Sequence, residues 1–374
     1  MSFRSQSARH FSLAALGVAT VLAACAERPA ARPLARPTAG LDSRTAVLVA
    51  IDGVRWQEVF GGVEVALADQ KGLDARERLD AAHLVPNLHR LMTSDGAVVG
   101  APSSSAPMRA SGPNFVSLPG YMEMLTGRRD TGCTNNACGD VPFSTIADDV
   151  ADHGGTAAVV ASWPGILHAA TSTRGHVATS IGRHGGDDDA FKADPNVAAL
   201  LHDGESAGPG PGEDDFRLDA STGELACAYL EARRPAFLFV GLGETDEYAH
   251  RGDYRAYLKA LHDADTVVGR LAAVVAALNG DGHPSTLLVT TDHGRANGFS
   301  SHGGDHPESA QVWLVASGAG IRARGATTSA APRRLSDVGQ TVRRVLGLPG
   351  VEAAPAGAVL SELFTAPGAS VASR

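Results

Sequence analysis

The sequence predicts an α/β protein whose mainly parallel central sheet carries helices on both faces. Apolar, β-branched segments of strand length alternate along the chain with segments of helical periodicity. The strand segments are apolar almost without interruption, which is typical of strands buried on both faces of a sheet. With 374 residues, 44% of them hydrophobic and 20% charged, the chain has enough apolar side chains to bury such a sheet.

The elements follow one another as this fold class requires. Six segments have the pattern of strands: residues 45–51, 97–101, 156–162, 236–242, 285–291 and 311–316. Helical patterns lie between them, at about residues 85–94, 144–153, 254–278 and 334–346. Two stretches, 61–83 and the Gly-, Asp- and Pro-rich 182–215, are interpreted as insertions on this core. One domain is expected over residues 44–366, followed by a short tail at 367–374.

The first 24 residues are expected to be a signal peptide. Arg4 and Arg9 precede an apolar stretch at 11–24 that is too short to span a bilayer comfortably. The tetrapeptide Leu-Ala-Ala-Cys that ends at Cys25 resembles a bacterial lipoprotein signal, in which the cysteine is lipidated. An ordinary secretory signal, cut after an alanine, is the alternative. Both predict export, and the first predicts a lipid-anchored protein facing the periplasm or the cell exterior, with the Pro/Ala-rich residues 25–43 as an extended tether.

The charge pattern excludes one class of function. The formal net charge is −9, and no run rich in lysine or arginine occurs. The protein is therefore not expected to bind nucleic acid duplexes. Because an acidic surface repels anions, an anionic substrate would need a local positive centre such as a metal ion.

The cysteines agree with export. Cys133 and Cys138 bracket four residues of a loop, and a disulfide between them is the natural interpretation in an oxidising compartment. Cys227 lies in a helical pattern and is expected to be a buried free thiol.

Three predicted strands are followed by ionisable residues. Asp52 follows the strand at 45–51, Asp246 follows the strand at 236–242, and Asp292 with His293 follows the strand at 285–291. The carboxyl ends of parallel strands lie at one edge of a sheet, where ligands bind. Such a cluster of carboxylates is costly without a cation. His250, four residues after Asp246, can face the same point if the segment is helical, and carboxylates with imidazoles suit zinc or another divalent ion.

Ser117 is the candidate nucleophile. It precedes Leu118-Pro119 in an amphipathic stretch that ends at Gly127, and proline near the start and glycine at the end are helix signals. A serine at a helix N-terminus lies where backbone N–H groups and the helix dipole favour an alkoxide and a phosphoryl group. A simple helix cap is the alternative role of such a serine.

Several motifs together resemble the alkaline phosphatase superfamily, in particular its nucleotide pyrophosphatase/phosphodiesterase and sulfatase branches. The matching pieces, in the family's order, are VAIDGVRWQEVF, PNLHRLM, SLPGYMEMLTG, ETDEYAH, TTDHG and SHGG. The resemblance implies two divalent metal ions, with zinc favoured. It assigns Asp52, Ser117, Asp292 and His293 to one ion, with Ser117 as the ligated nucleophile, and it assigns Asp246, His250 and a later histidine to the other.

Two assignments within this resemblance leave alternatives. The later histidine is His302 or His306, and His302 is favoured because a glycine follows it, as in the family's His-Gly step. The phosphodiesterase branch also places an asparagine after the nucleophile to bind a phosphate oxygen. Asn135 and Asn136 are the candidates, with Asn136 preferred, and both could instead be turn formers.

One departure from the sulfatase pattern narrows the expected chemistry. Sulfatases require arginine two residues after the proline of Cys/Ser-x-Pro-x-Arg, and this chain has Tyr121 there. An unmodified serine indicates hydrolysis of a small-molecule phosphate ester, diester or monoester, through a phosphoserine intermediate. The alternatives are a transferase of the same fold that moves an envelope head group, and a non-catalytic binding protein stabilised by metal.

Overall fold

The computed structural model describes residues 40–102, 107–130, 132–173, 175, 177–185, 189–208, 210–212, 215–329, 331–353 and 355–364. The expected signal peptide, Cys25, the tether up to residue 39 and the tail at 367–374 lie outside the described residues. Within the described residues, no helix combines the length and apolar character that crossing a membrane requires.

Eleven strands are found among the described residues. They are β1 Thr45–Ile51, β2 Gly96–Val99, β3 Met108–Arg109, β4 Ala157–Ala161, β5 Ala178–Ile181, β6 Phe237–Leu242, β7 Ser285–Thr290, β8 Gln311–Val312, β9 Leu314–Gly318, β10 Gly325–Ala326 and β11 Arg333–Arg334. Eight form one sheet in the order β10-β2-β9-β7-β1-β6-β4-β5. A second sheet has the order β11-β3-β8.

The mainly parallel sheet is confirmed. Strands β7, β1, β6, β4 and β5 pair in parallel, and in the described part of the main sheet only β9 runs against its neighbours. The segment at 311–316, expected as one strand, is divided at the buried Trp313: β8 joins the small sheet, and β9 joins the large one. Strand β5 was not predicted from the sequence, because its four residues are only partly buried and lack a continuous apolar pattern.

Thirteen α-helices accompany the strands in the described residues. They are α1 Trp56–Gly61, α2 Val65–Gln70, α3 Ala81–Leu84, α4 Pro86–Arg90, α5 Ser117–Thr126, α6 Ile146–Asp152, α7 Leu167–Ala170, α8 Asp189–Lys192, α9 Pro195–Ser206, α10 Asp219–Arg233, α11 Glu244–His250, α12 Tyr254–Gly280 and α13 Ser336–Leu346. The stretch at 182–215, interpreted as an insertion, contains α8 and α9. Asp194 caps α9 and Pro195 occupies its first position, so a helix start signal was present in the sequence.

The main sheet is buried on both faces, as its apolar strands predicted. In β1, Val47, Val49 and Ile51 belong to one apolar cluster, and the alternating Ala46, Leu48 and Ala50 belong to another. Helices α10 and α12 cover the first face, and α5, α6 and α13 cover the second. This double burial leaves the sheet edge at the carboxyl ends of β1, β6 and β7 as the place where polar residues collect.

Candidate active site

The sheet brings the three predicted aspartates to one edge. Because β1 lies between β6 and β7 and is parallel to both, the residues after these strands are neighbours. The backbone N–H of Asp52 donates to the Leu242 carbonyl (2.8 Å), and Thr245 Oγ1 donates to the Asp52 carbonyl (2.6 Å). The N–H of Gly53 donates to Asp292 Oδ1 (3.1 Å). The turns after all three strands are thus bonded to one another.

Ser117, Asp52, Asp292 and His293 form a first cluster. His293 Nε2 lies 3.5 Å from Asp52 Oδ1 and 3.4 Å from Asp292 Oδ2. Ser117 Oγ lies 3.4 Å from Asp52 Oδ1 and 3.3 Å from His293 Nε2. Asp292 Oδ2 is buried and has no hydrogen-bond partner. This buried oxygen faces an imidazole nitrogen but forms no hydrogen bond, as expected of an oxygen that binds a cation.

Ser117 is the first residue of α5, and it is not the helix cap. Val116 occupies the cap position without a capping side chain, while the Ser117 hydroxyl lies toward Asp52 and His293. Helix α5 ends at Gly127, in the left-handed conformation (φ 72°), as the sequence predicted. The alternative of a simple cap is therefore wrong for this serine.

Three neighbours hold the start of α5 in place. Gly120 packs so closely on the Asp292 backbone that an added Cβ would lie 2.6 Å from the Asp292 carbonyl oxygen. The Tyr121 hydroxyl donates to Asp52 Oδ2 (2.9 Å). The N–H of Leu118 donates to Asn136 Oδ1 (2.9 Å), in the loop closed by the Cys133–Cys138 disulfide. The predicted disulfide and the buried free thiol of Cys227 are both confirmed.

Asp246, His250 and His302 form a second cluster. His250 Nε2 lies 3.0 Å from Asp246 Oδ2 and 3.0 Å from His302 Nε2. Both Asp246 and His250 belong to α11, so the helical spacing expected from the sequence is present. Two groups of side chains among the described residues could hold a metal ion: Asp52 with Asp292 and His293, and Asp246 with His293 and His302. Neither His250 nor His306 belongs to either group, although His250 contacts both Asp246 and His302.

His293 and His302 present unprotonated nitrogens to these clusters. His293 Nδ1 bonds to the Gly294 carbonyl (2.8 Å), and His302 Nδ1 bonds to the Phe115 carbonyl (2.9 Å), so each ring carries its proton on Nδ1 and has a free lone pair on Nε2. Burial lowers the pKa of His293 to about 4 and, together with the nearby His293, the pKa of His302 to about 3. Both rings are therefore neutral at physiological pH, as metal binding requires.

The carboxylates differ from one another in their electrostatics. Burial and the charges of Asp292 and Asp246 raise the pKa of Asp52 well above its ordinary value. Burial and the charge of Asp246 raise the pKa of Asp292 to about 7. Burial opposes ionisation of Asp246 as well, but the adjacent Arg295 guanidinium and His250 hold its pKa below the ordinary value. Two of the three acids thus lack a compensating cation, and the donor set fits divalent metal ions such as zinc.

A cleft of about 350 Å³ opens onto both clusters, within the range of small-molecule sites. Its lining residues are Asp52, Ser117, Asn136, Trp163, Pro164, Gly165, His168, Phe216, Gly243, Asp246, Glu247 and His250. A larger cavity of about 560 Å³ lies at the amino ends of β4 and β5, but neither of the two metal-holding groups of the described chain lines it. The smaller cleft is therefore the candidate substrate site.

Several residues of this site were not predicted from the sequence. Trp163 follows β4 at the same sheet edge as the three aspartates, so the rule that located the aspartates could have found it. His168 bonds to Asp140 (2.7 Å) and lines the cleft, although it belonged to no recognised motif. Phe216 follows a Gly/Pro-rich stretch, and no motif or periodic pattern in the sequence marked it as a site residue.

Metal uptake is expected to weaken as the pH falls. A cation at the first cluster must displace the proton that Asp292 holds below about pH 7, whereas His293, with a pKa of about 4, is already unprotonated. Zinc affinity of the metal-free protein should therefore fall by at least about tenfold per pH unit between about pH 7 and pH 5, because Asp292 releases one proton and Asp52, whose pKa is also raised, adds to the release. Calorimetric titration in buffers of different ionisation enthalpy measures both the affinity and the proton release. A pH-independent affinity over this range would contradict the proposed role of Asp292.

The fold is that of alkaline phosphatase-like enzymes. The alkaline phosphatase PafA superposes with a TM-score of 0.57 at 10% identity, over 86% of this chain and 99% of that one. A putative sulfatase from Bacteroides thetaiotaomicron gives a TM-score of 0.52 at 15% identity, over 85% and 74% of the two chains. The lipoteichoic acid synthase LtaP from Listeria monocytogenes gives 0.52 at 11% identity, over 85% and 74%.

Sequence comparison agrees with this class over part of the chain. Residues 217–349 match the family model of the Metalloenzyme superfamily. This matched segment includes α11, β7 and the loop that carries His302. The 2,3-bisphosphoglycerate-independent phosphoglycerate mutase of Gloeobacter violaceus is 27% identical over 131 residues, which is 33% of this chain and 24% of the mutase. The match therefore spans about a quarter of that enzyme's length.

Proposed function

We propose that this protein is a metal-dependent hydrolase of small-molecule phosphate esters that acts through a phosphoserine intermediate at Ser117. One observation carries the proposal. The Ser117 hydroxyl, at the first residue of a ten-residue helix, contacts both a carboxylate and an imidazole of a cation-binding cluster, and it does so at the surface of the candidate substrate cleft.

In the proposed site, each cluster binds one divalent ion, with zinc favoured. Asp52, Asp292, His293 and Ser117 would hold one ion, and Asp246, His250 and His302 would hold the other. When bound, the ions supply positive charge that lowers the pKa of the coordinated hydroxyl and neutralises the phosphoryl oxygens. Without such charge, the aspartates that line the cleft would repel an anionic phosphate ester.

Ser117 Oγ attacks phosphorus, and the bond from phosphorus to the leaving oxygen breaks as the bond to Oγ forms. The proton that the Ser117 hydroxyl loses is balanced by the proton that the leaving oxygen gains, and the phosphoryl group remains on Ser117. A water molecule then attacks the same phosphorus, breaks the bond to Oγ, and restores the serine hydroxyl. The dipole of α5 favours the negative charge that develops at its N-terminus.

Asn136 is proposed to bind a phosphoryl oxygen. Its Oδ1 accepts the Leu118 N–H, which fixes the amide plane and leaves the Nδ2 hydrogens as the donors that Asn136 contributes to the cleft. Asn135 has a different role, since its Oδ1 accepts the Ala137 N–H (2.8 Å) inside the disulfide loop, as a turn former does.

Phosphoryl transfer is favoured over sulfate-ester hydrolysis. The tyrosine that replaces the sulfatase arginine bonds to Asp52, so this position serves the cation cluster and not the formation of formylglycine. The partial match to phosphoglycerate mutases also supports phosphoryl chemistry. The fold alone does not separate the reactions, since phosphatase, sulfatase and synthase structures all share it.

A substrate panel tests the proposal. Zinc-loaded protein is assayed on an aryl phosphate, a bis-aryl phosphate, a phosphonate monoester and an aryl sulfate, each with and without chelator. We expect chelator-sensitive hydrolysis of a phosphate ester to exceed that of the sulfate by orders of magnitude. Sulfate as the preferred substrate would refute the proposal. An added alcohol, with product analysis, separates hydrolysis from transfer, and transfer to the alcohol in excess of hydrolysis would favour the head-group transferase.

We also propose that the protein is exported and lipid-anchored through Cys25. The signal-like N-terminus and the Cys133–Cys138 disulfide, which requires an oxidising compartment, support this location. Cys25→Ser should release the processed protein from the membranes of its native host. Processed Cys25→Ser protein that still fractionates with membranes would refute the anchor.

A further inference from the structure

Arg295 is buried beside the second cluster, two residues after His293, and only 2% of it is exposed. Its guanidinium is bonded in three directions. Nη1 forms an ion pair with Asp246 Oδ1, Nε donates to the Phe299 carbonyl (2.7 Å), and Nη2 donates to the Ser300 carbonyl (2.9 Å). Because each nitrogen has a protein partner and Arg295 does not line the cleft, it is not placed to bind substrate.

The first consequence of these bonds concerns Asp246. Arg295 holds Oδ1, and Oδ2 lies 3.0 Å from His250 Nε2, so the carboxylate has one fixed orientation. Gly53 makes room for this pair: its φ is 61°, and an added Cβ would overlap Asp246 Oδ1 and lie 2.8 Å from Arg295 Nη1. In this orientation Asp246 turns Oδ2 toward His250, while Oδ1, held by Arg295, lies 3.9 Å from His302 Nε2.

The second consequence concerns the loop that carries His302. Arg295 binds two successive carbonyls of this loop, and His302 follows two residues after the second of them. Phe299, fully buried with φ 78°, packs edge-on against the rings of Tyr254 and Tyr257, with centroids 5.0 Å apart in both cases. A non-glycine residue rarely adopts this backbone conformation, so the arginine bonds and the aromatic packing together hold the loop in its path.

We propose that Arg295 is a positioning residue for the second metal ion: it fixes the orientation of Asp246 and the path of the loop that delivers His302. The inference rests on the proposed two-ion site. Arginine suits this position because its planar fork binds a carboxylate and two carbonyls at once, which a lysine ammonium on a flexible stem does not reproduce. Side chains that orient metal ligands in this way typically contribute about 10–100-fold to metal affinity.

Zinc titration of metal-free protein tests the proposal without reference to activity. Arg295→Gln should bind the first ion as the wild type does, and its dissociation constant for the second ion should rise by about 10–100-fold. Arg295→Lys keeps the charge and loses the fork, so its affinity should lie between those of Arg295→Gln and the wild type. The His302→Ala protein, which lacks a ligand of the second ion, supplies the reference curve for a lost second site.

Arg343→Gln is the matched control. Arg343 is also buried and also binds one carboxylate, that of Asp149, and two carbonyls, those of Thr126 and Gly339, but none of these belongs to the site. Its variant should melt earlier and still bind both ions with wild-type affinity. Wild-type affinity for the second ion in either folded Arg295 variant would overturn the proposal. A wild-type protein that binds fewer than two ions would instead refute the two-ion site on which the proposal rests.

Discussion

Ser117→Ala is expected to lower turnover of a phosphate ester by at least about 10³-fold and to leave the fold unchanged. The variant should still bind both ions, the first of them more weakly, because it loses one of the four ligands of that ion. Oγ supplies the atom that bonds to phosphorus, and no other described hydroxyl contacts both Asp52 and His293. The stability of α5 should not suffer, because the serine does not cap the helix. Steady-state kinetics, zinc titration and thermal melting of the same preparations measure the three quantities.

Ser309→Ala is the control for this substitution. Ser309 is fully buried, and its hydroxyl has no hydrogen-bond partner, so the loss of its oxygen should change neither turnover nor zinc binding. Near-normal turnover in a folded Ser117→Ala protein would mean that Ser117 does not attack phosphorus, and direct attack by water would replace the serine mechanism.

His302→Ala is expected to abolish binding of the second ion and most of the activity, whereas His306→Ala should retain both. The loss of a direct ligand should weaken metal binding more than the loss of an orienting residue does. We therefore expect the dissociation constant of the second ion to rise by about 100-fold or more. His302 belongs with Asp246 and His293 to one of the two metal-holding groups of the described residues, and His306 belongs to neither group. Zinc titration and kinetics of the two variants provide the comparison. The reverse ranking would move the ligand to His306.

The fold and the clustered acids could be predicted because both follow from local patterns. The carboxyl ends of parallel strands lie at one edge of the sheet, and this does not depend on the conformation of the loops. Asp52, Asp246 and Asp292 could therefore be assigned to one site. His302 was harder to choose, because a loop of about twenty residues separates β7 from β8 and the sequence does not fix its path. The structure brings His302, rather than His306, to Asp246.

The supporting residues could not be predicted for a related reason. Tyr121 was recognised only as a departure from the sulfatase pattern, and its bond to Asp52 depends on how α5 packs against β1 and the Asp292 backbone. Arg295 reaches Asp246 only because the loop turns back at Phe299 in a left-handed conformation. Such contacts depend on tertiary packing between distant segments, which no local periodicity encodes.

Acid quenching during turnover tests the central claim most directly. Zinc-loaded wild-type protein is mixed with a phosphate ester that carries a radiolabelled phosphoryl group, and the reaction is stopped with acid within the first turnovers. The proposed mechanism predicts label on the peptide that contains Ser117, label that disappears when unlabelled substrate is chased in, and no label in Ser117→Ala. Rapid product formation with no protein-bound label, or label on a different residue, would contradict it.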